Sequence, residues 1–311
     1  MKKNWLNLFI ALILYIPLGF LQVSIDYTRK LEELESGLLL MPGQMAGSLV
    51  LSGFKGLAAD LLWLNIENYW HTGQHYKMLP LFEAVAWLQP HYITVWGVGG
   101  WHMSYNIFAE VRGRESNLSK MYEKRMKQLS EKEKENLKKV IEIRNRLKKL
   151  VDKLGLSIGM EETRIPKLLE EISCYENILN NFKGSEKENE IVELVKPLIS
   201  IVREMIYWYN QGIKFLKKGI AYNPERYDLY FELGWTYYHK GKDYKNSVRY
   251  LERAIKFPHP DYVDDVLAHA YEKTGQIDLA IKQWEKLLNS GFKTIAERAI
   301  KVLKAGGKFT L

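Results

Sequence analysis

In the stretch "DYVDDVLAHAYEKTGQIDLAIKQWEKLL", residues 261–288, Leu267, Ala268, Tyr271, Gly275, Ala280, Trp284 and Leu287 recur at helical spacing. Apolar residues three and four apart place one stripe on each of two short amphipathic helices, and Gly275 breaks the pattern between them where a turn is needed. Small side chains at Ala268 and Ala280 let the two helices approach, while Tyr271 and Trp284 fill the space beside them. Such a helical pair leaves an apolar face uncovered, so the chain has to stack further pairs onto it.

A second copy precedes it. "YFELGWTYYHKGKDYKNSVRYLERAIKFPHP" has Tyr230, Leu233, Gly234 and Tyr237 at the same offsets, whereas Ser247, Leu251 and Ala254 come one residue late, which implies one inserted residue in the turn after Gly241. One unit earlier, "YNQGIKFLKKGIAYNP" has the small, large and small residues of a second helix at Gly212, Leu216 and Gly219, followed by Pro224. Its first helix is absent just upstream, and "WGVGGWHMSYN" supplies it: Trp96, Gly99, Gly100 and Met103 carry the first-helix spacing. Tyr69, Gly73, Phe82 and Pro90 mark a further unit beginning near Ala59. These residues resemble the tetratricopeptide repeat, a 34-residue helix-turn-helix unit. "GFKGLAADLLWL" with the aromatic repeat after it also resembles the start of a set of bacterial single-pass repeat proteins. The glycines of "WGVGGWHMSYN" thus read as helix-packing positions. A phosphate loop would need a preceding strand and the glycine-lysine or G-x-G-x-x-G context, both lacking.

The amino terminus sets the expected compartment. Behind Lys2 and Lys3, the uncharged run 5–23 opens on Trp5 and closes on Val23, and as a helix it would span about 28 Å, close to the hydrocarbon core of a bilayer. Trp5 and Tyr27 lie where interfacial aromatics belong. A cleaved signal peptide is the competing reading; against it stand the length of the run and the absence of paired small residues before a cut site. The expected fold class is all-α: an amino-terminal transmembrane helix, 1–30, then a tetratricopeptide-like α-solenoid interrupted by a long helical-hairpin insertion. An apolar juxtamembrane segment, 31–58, leads to the first repeat-like helices, 59–108. A charged hairpin insertion at 109–205 precedes the repeats 206–292, and a capping helix with a short tail, 293–311, closes the chain. In the insertion, Ser130 and Glu133 form a capping-box pattern. Two amphipathic helices around Val140 to Leu154 and Ile165 to Phe182 are expected to project as an αα-hairpin, each covering the other's apolar stripe. "KGSEKENE" reads as a flexible link, with Pro197 near the start of the helix that follows.

Composition narrows the chemistry. Lys and Arg total 45 against 37 Asp and Glu, a formal charge of +8, but the signs are interleaved and no single-sign tail exists. The lone Cys174 excludes an intramolecular disulfide framework. Nucleophile-elbow, zincin and Walker patterns are missing. His71 and His75 have helical metal-ligand spacing with Asp60 and Glu67 upstream, yet Gly73 between them marks a turn. No catalytic, cofactor or metal site is therefore expected. Lys138, Lys139, Arg144, Arg146, Lys148 and Lys149 form a basic face suited to RNA or anionic lipid, diluted by interleaved glutamates.

The repeat resemblance implies a concave groove lined by the first helices, at Trp63, Trp70, Trp101, Tyr105, Trp235, Tyr238, His239 and His269. The Lys/Asn clamp by which some members hold a terminal carboxylate is not reproduced. The implied function is a non-enzymatic scaffold: a bacterial inner-membrane, single-pass protein with its bulk on the extracytoplasmic side, gripping a protein or peptide partner of the membrane or envelope. It touches lipid through the Trp5 to Val23 run, with no nucleic acid partner. Binding of nucleic acid or anionic lipid by the basic hairpin is the alternative, and a metal-dependent enzyme built on His71, His75 and Asp60 is a more distant one. Residues 37–55 are the competing occupant of the groove.

Overall fold

A computed structural model describes residue 53 and residues 55–156 and 158–309. The 5–23 run and most of the 37–55 segment lie outside the described residues, and no described helix is long and apolar enough to cross a membrane. Every element among the described residues is helical. The chain divides into two compact units, one ending at Pro90 and one running from His91.

The described part of the first unit is a helical hairpin, α1 (Lys55–His71) and α2 (His75–Leu88). Ala59, Ile66, Phe82 and Val85 are buried, and the Trp63 ring meets Phe82 edge-on at 6.2 Å. Gly73 makes the turn with φ at +68°, a conformation that costs glycine nothing.

The second unit begins with α3 (Ile93–Trp101), which runs through a π-helical segment, His102–Ile107, directly into α4 (Phe108–Met126). Three glycines make α3 a poor helix in isolation. Its partner is α8 (Glu186–Tyr222), and the two cross at glycines on both sides. A methyl at Gly100 would strike Leu216, one at Gly219 would strike Trp96, and one at Gly212 would lie 2.8 Å from the Gly100 carbonyl oxygen. Removing those side chains lets the backbones touch and seats Trp96, fully buried, against Phe215 at 4.7 Å. A helical pair separated by about a hundred residues of sequence is thus one packing unit.

The insertion between them departs from the expected shape. Because α4 continues the first helix and α8 extends the second, both boundaries of the 109–205 segment fall inside helices. Between them come α5 (Glu131–Asn136), α6 (Lys138–Leu156) and α7 (Ile165–Asn180). The Ser130 capping box opens α5. The long helices α6 and α7 do not mainly cover each other; both lie on α8, and α6 also touches α4. The amino-terminal half of α8 presents an apolar face, with Ile191, Val195, Leu198, Val202 and Met205 buried, on which both helices can cover their stripes. The "KGSEKENE" link is also corrected. Ser185 and Glu188 form a second capping box that starts α8, Asn136 donates to Glu188 at 2.9 Å, and Pro197 lies inside the helix.

Two helical pairs and a cap follow: α9 (Tyr227–Trp235) with a π segment Thr236–Gly241, α10 (Tyr244–Ala254), α11 (Asp261–Lys273), α12 (Ile277–Lys286) and α13 (Lys293–Lys304). The extra residue inferred in the turn after Gly241 is instead absorbed by the π segment, which leaves Lys242 left-handed at φ 53°. Onto that end docks the connector between α6 and α7. The amides of Ile158 and Met160 donate to the carbonyls of Lys240 and Gly241 at 2.6 and 3.0 Å, and the amide of Glu162 donates to Asp243 Oδ2 at 2.9 Å. Asp243, 1% exposed, also caps α10 by accepting from the Asn246 amide.

Candidate functional site

The sequence places aromatic residues on first helices, and the fold turns part of that set into one continuous stack. Trp101 and Tyr105 lie one turn apart across the α3 π segment with ring centroids at 6.1 Å; Trp235 and His239 repeat the arrangement across the α9 π segment at 5.2 Å and 9°. Tyr105 and His239 join the two pairs at 5.8 Å. Tyr238 stacks on Trp235 at 6.0 Å, and Phe231 does so at 6.4 Å. Both π segments begin two residues after a buried glycine, Gly100 or Gly234, so the same backbone widening aims the same side-chain positions in adjacent repeats.

Burial sets the electrostatics of this face. Burial, followed by the charge of Asp228, pushes the Glu232 carboxyl up to about 7. Tyr238 is raised to about 12, chiefly by burial, and His239 is held below its usual range by burial and then by Lys242 and Lys240. The stack is therefore uncharged at neutral pH, and the ionisable groups that act on it include Glu232, Lys240 and Lys242.

His269 does not share in the stack. It is 8% exposed, its ring lies parallel to Phe309 at 6.0 Å and edge-on to Trp284 at 4.9 Å. Asp265 and Glu272, 3.8 and 3.7 Å away, would favour the imidazolium, but Asp265 is itself pushed up to about 6 by burial. Desolvation prevails and holds His269 down at about 4. The carboxy-terminal tail thus covers this end of the first-helix surface. Nothing in the repeat spacing points to Phe309, which follows two glycines after the last helix. Trp63 and Trp70 belong to the first unit, where Trp63 is half-buried against Phe82 and the Trp70 ring lies 5.3 Å from His75.

The other sequence candidates find different settings. His71 ends α1 and His75 begins α2 on the far side of Gly73. The basic face on α6 is laced with carboxylates: Lys138 with Glu135 at 3.4 Å, Lys139 with Glu142 at 3.5 Å, Arg146 with Glu171 at 3.1 Å, and Lys148 with Glu115 and Asp152 at 3.3 Å each. The Arg144 guanidinium lies 4.4 Å over the Tyr122 ring. A face so neutralised has little charge left for a polyanion. Cys174 is exposed on α7.

A cleft of about 400 Å³ opens beside the stack between α3 and α9, lined by Thr94, Gly97, Trp101, Arg226, Asp228 and Glu232 among others. Arg226 pairs with Asp228 at 3.0 Å. The repeat pattern gives no signal for Glu232, because a glutamate on an amphipathic helix ordinarily faces water.

Comparison with known proteins agrees with the repeat geometry where it can be tested. Residues 227–257, covering α9 and α10, match the family model described as tetratricopeptide repeat. No curated protein matches the chain. Among solved structures, a thermophilic TPR protein of Thermus thermophilus is 14% identical over 79% of this chain and 99% of its own, with a TM-score of 0.27, too low to indicate a shared overall arrangement. The chain is all-helical in its described residues and carries a segment similar to a tetratricopeptide repeat, a unit whose general use is to bind other proteins.

Proposed function

We propose that this protein is a membrane-anchored scaffold of a bacterial envelope, held in the inner membrane by residues 5–23, whose first-helix groove grips a segment of another membrane or envelope protein during assembly of a complex. One observation carries the reading: Trp101, Tyr105, His239 and Trp235 form an unbroken stack across two repeats. Core packing alone would bury these rings, yet Trp101 is 40% exposed. Rigid aromatic rings give a large contact area at little entropic cost, which is what binding hot spots use. The anchor would raise the local concentration of any partner in the same membrane.

The test is photo-crosslinking in the native membrane from photoreactive residues at positions 101 and 235, together with Trp101→Ala and Trp235→Ala. The reading expects the same envelope protein captured from both sites, and capture by either alanine variant reduced at least about tenfold at equal folded content, the loss typical of a hot-spot residue. Crosslinks only to residues 37–55 of the same chain would show that the groove is filled from within and would refute it.

A further inference from the structure

The cleft between α3 and α9 holds a carboxyl that the fold leaves without a counter-ion. Among the described residues, the Glu232 carboxyl has no hydrogen bond and no cation within ion-pair distance, whereas the neighbouring Asp228 is engaged by Arg226. With Arg226 and Asp228 cancelling, the lining carries the charge of Glu232 alone once that carboxyl is ionised. Gly97 opposite has no side chain; a methyl built there would meet the Glu232 Cγ at 3.7 Å, an ordinary contact, so glycine leaves the cleft beside that side chain unfilled. The Trp101 indole, first ring of the aromatic stack, forms the adjoining wall. Burial of an unpaired carboxylate is unfavourable, and its raised proton affinity reflects that cost. A ligand that supplies a cation would remove it.

We propose that this cleft is a subsite for one arginine or lysine side chain of the partner segment, with the cationic head against Glu232 and its flank on the Trp101 ring. The assignment rests on the groove reading above and narrows it to a partner whose segment places a basic residue beside an aromatic contact surface. A guanidinium suits the geometry best, since it can donate to a carboxylate and lie on an indole at once. The stem of the side chain would run over Gly97.

The test uses the full chain in detergent micelles, labelled with 5-fluorotryptophan, with the Trp101 resonance assigned by Trp101→Phe. The probes are N-acetyl-arginine methylamide and its citrulline counterpart, which has nearly the same shape and no charge. Arginine amide should shift the Trp101 resonance saturably and bind about fivefold or more tightly than citrulline amide, the scale of one cation-aromatic and carboxylate contact. Glu232→Gln, close in shape to the native residue, should bring the ratio to about one, and Gly97→Leu, whose Cβ meets only the Glu232 Cγ at 3.7 Å and whose branch would enter the cleft, should abolish the shift. Equal binding of the two probes to the wild-type chain, or a ratio unchanged in Glu232→Gln, overturns the subsite. Crosslinking from position 235 separates this from failure of the groove: a partner captured there with no arginine preference removes the subsite alone. Arginine selectivity that depends on Glu232 without any captured partner upholds the subsite and removes the groove reading.

Discussion

Replacing Gly212 by alanine tests whether a helix at 93–107 and one a hundred residues later form a single packing unit. In an isolated helix the change would stabilise by about 1 kcal/mol, since glycine is the poorer helix former. In the folded chain the new methyl would collide with Ser104 Oγ and approach the Gly100 carbonyl oxygen to 2.8 Å. A hydroxyl can rotate away, but a backbone carbonyl inside α3 cannot, so α3 and α8 must separate and loosen Trp96 over Gly219. Overpacking of this kind costs about 1–3 kcal/mol, and a backbone obstacle puts it at or beyond the upper end. The net expectation is a loss of about 2 kcal/mol. Gly113 in α4 is the control, because a methyl there meets nothing within 4 Å. Gly113→Ala should therefore gain the full propensity benefit of about 1 kcal/mol. Followed by helical circular dichroism of the full chain in detergent, urea unfolding should separate the two variants by about 3 kcal/mol, and thermal unfolding by about 6–12 °C at the usual 2–4 °C per kcal/mol for a domain of this size. If Gly212→Ala unfolds at or above the wild-type midpoint while Gly113→Ala behaves as stated, the discontinuous pairing is wrong.

Three further outcomes follow from the same geometry. Asp243→Ala removes the α10 cap and orphans the Glu162 amide, for a loss of about 2–3 kcal/mol, and should make the connector around Gly159 the first site of limited proteolysis; an unchanged digestion pattern would contradict the docking. Glu232 has a folded pKa of about 7, above its unfolded value of 4.5, so its contribution to stability is fully present below pH 4.5 and is lost as pH rises through 7. Glu232→Gln should consequently be the more stable chain at pH 8, by on the order of 3 kcal/mol, and the advantage should vanish near pH 4; a pH-independent difference would rule out the buried carboxyl as its source. Phe309→Ala uncovers His269 and Trp284 and should cost about 3 kcal/mol, seen as earlier loss of tryptophan fluorescence on denaturation; a change below about 0.5 kcal/mol would mean the tail does not cap the last repeat.

Much of the repeat geometry is legible in the sequence because glycine and alanine at a helix crossing have no substitute. Gly100, Gly212, Gly219 and Gly234 are small for one steric reason, and that reason is written in their spacing around Trp96, Leu216 and Leu251. The capping box at Ser130 is equally readable, since it depends on residues three apart. The Ser185 box uses the same spacing but is hidden by charged flanks that resemble a linker.

What the sequence alone determined, then, is local: which segments are helical, which residues are small enough for helices to meet, and which face of each first helix is aromatic. Tertiary structure decided the rest. The inserted residue in α9 has two ways to be accommodated, in the turn or as a π segment, and docking of the 158–162 connector on the Lys240 and Gly241 carbonyls matches the second. Amphipathic stripes on α6 and α7 do not specify their partner, and in the fold both pack on the apolar face of α8. Phe309 and Glu232 acquire their environments only from helices distant in sequence, one covered by the last repeat and the other drawn into a cleft opposite Gly97. Periodicity reports the direction in which a side chain leaves its own helix; what it meets there depends on contacts that no single helix encodes.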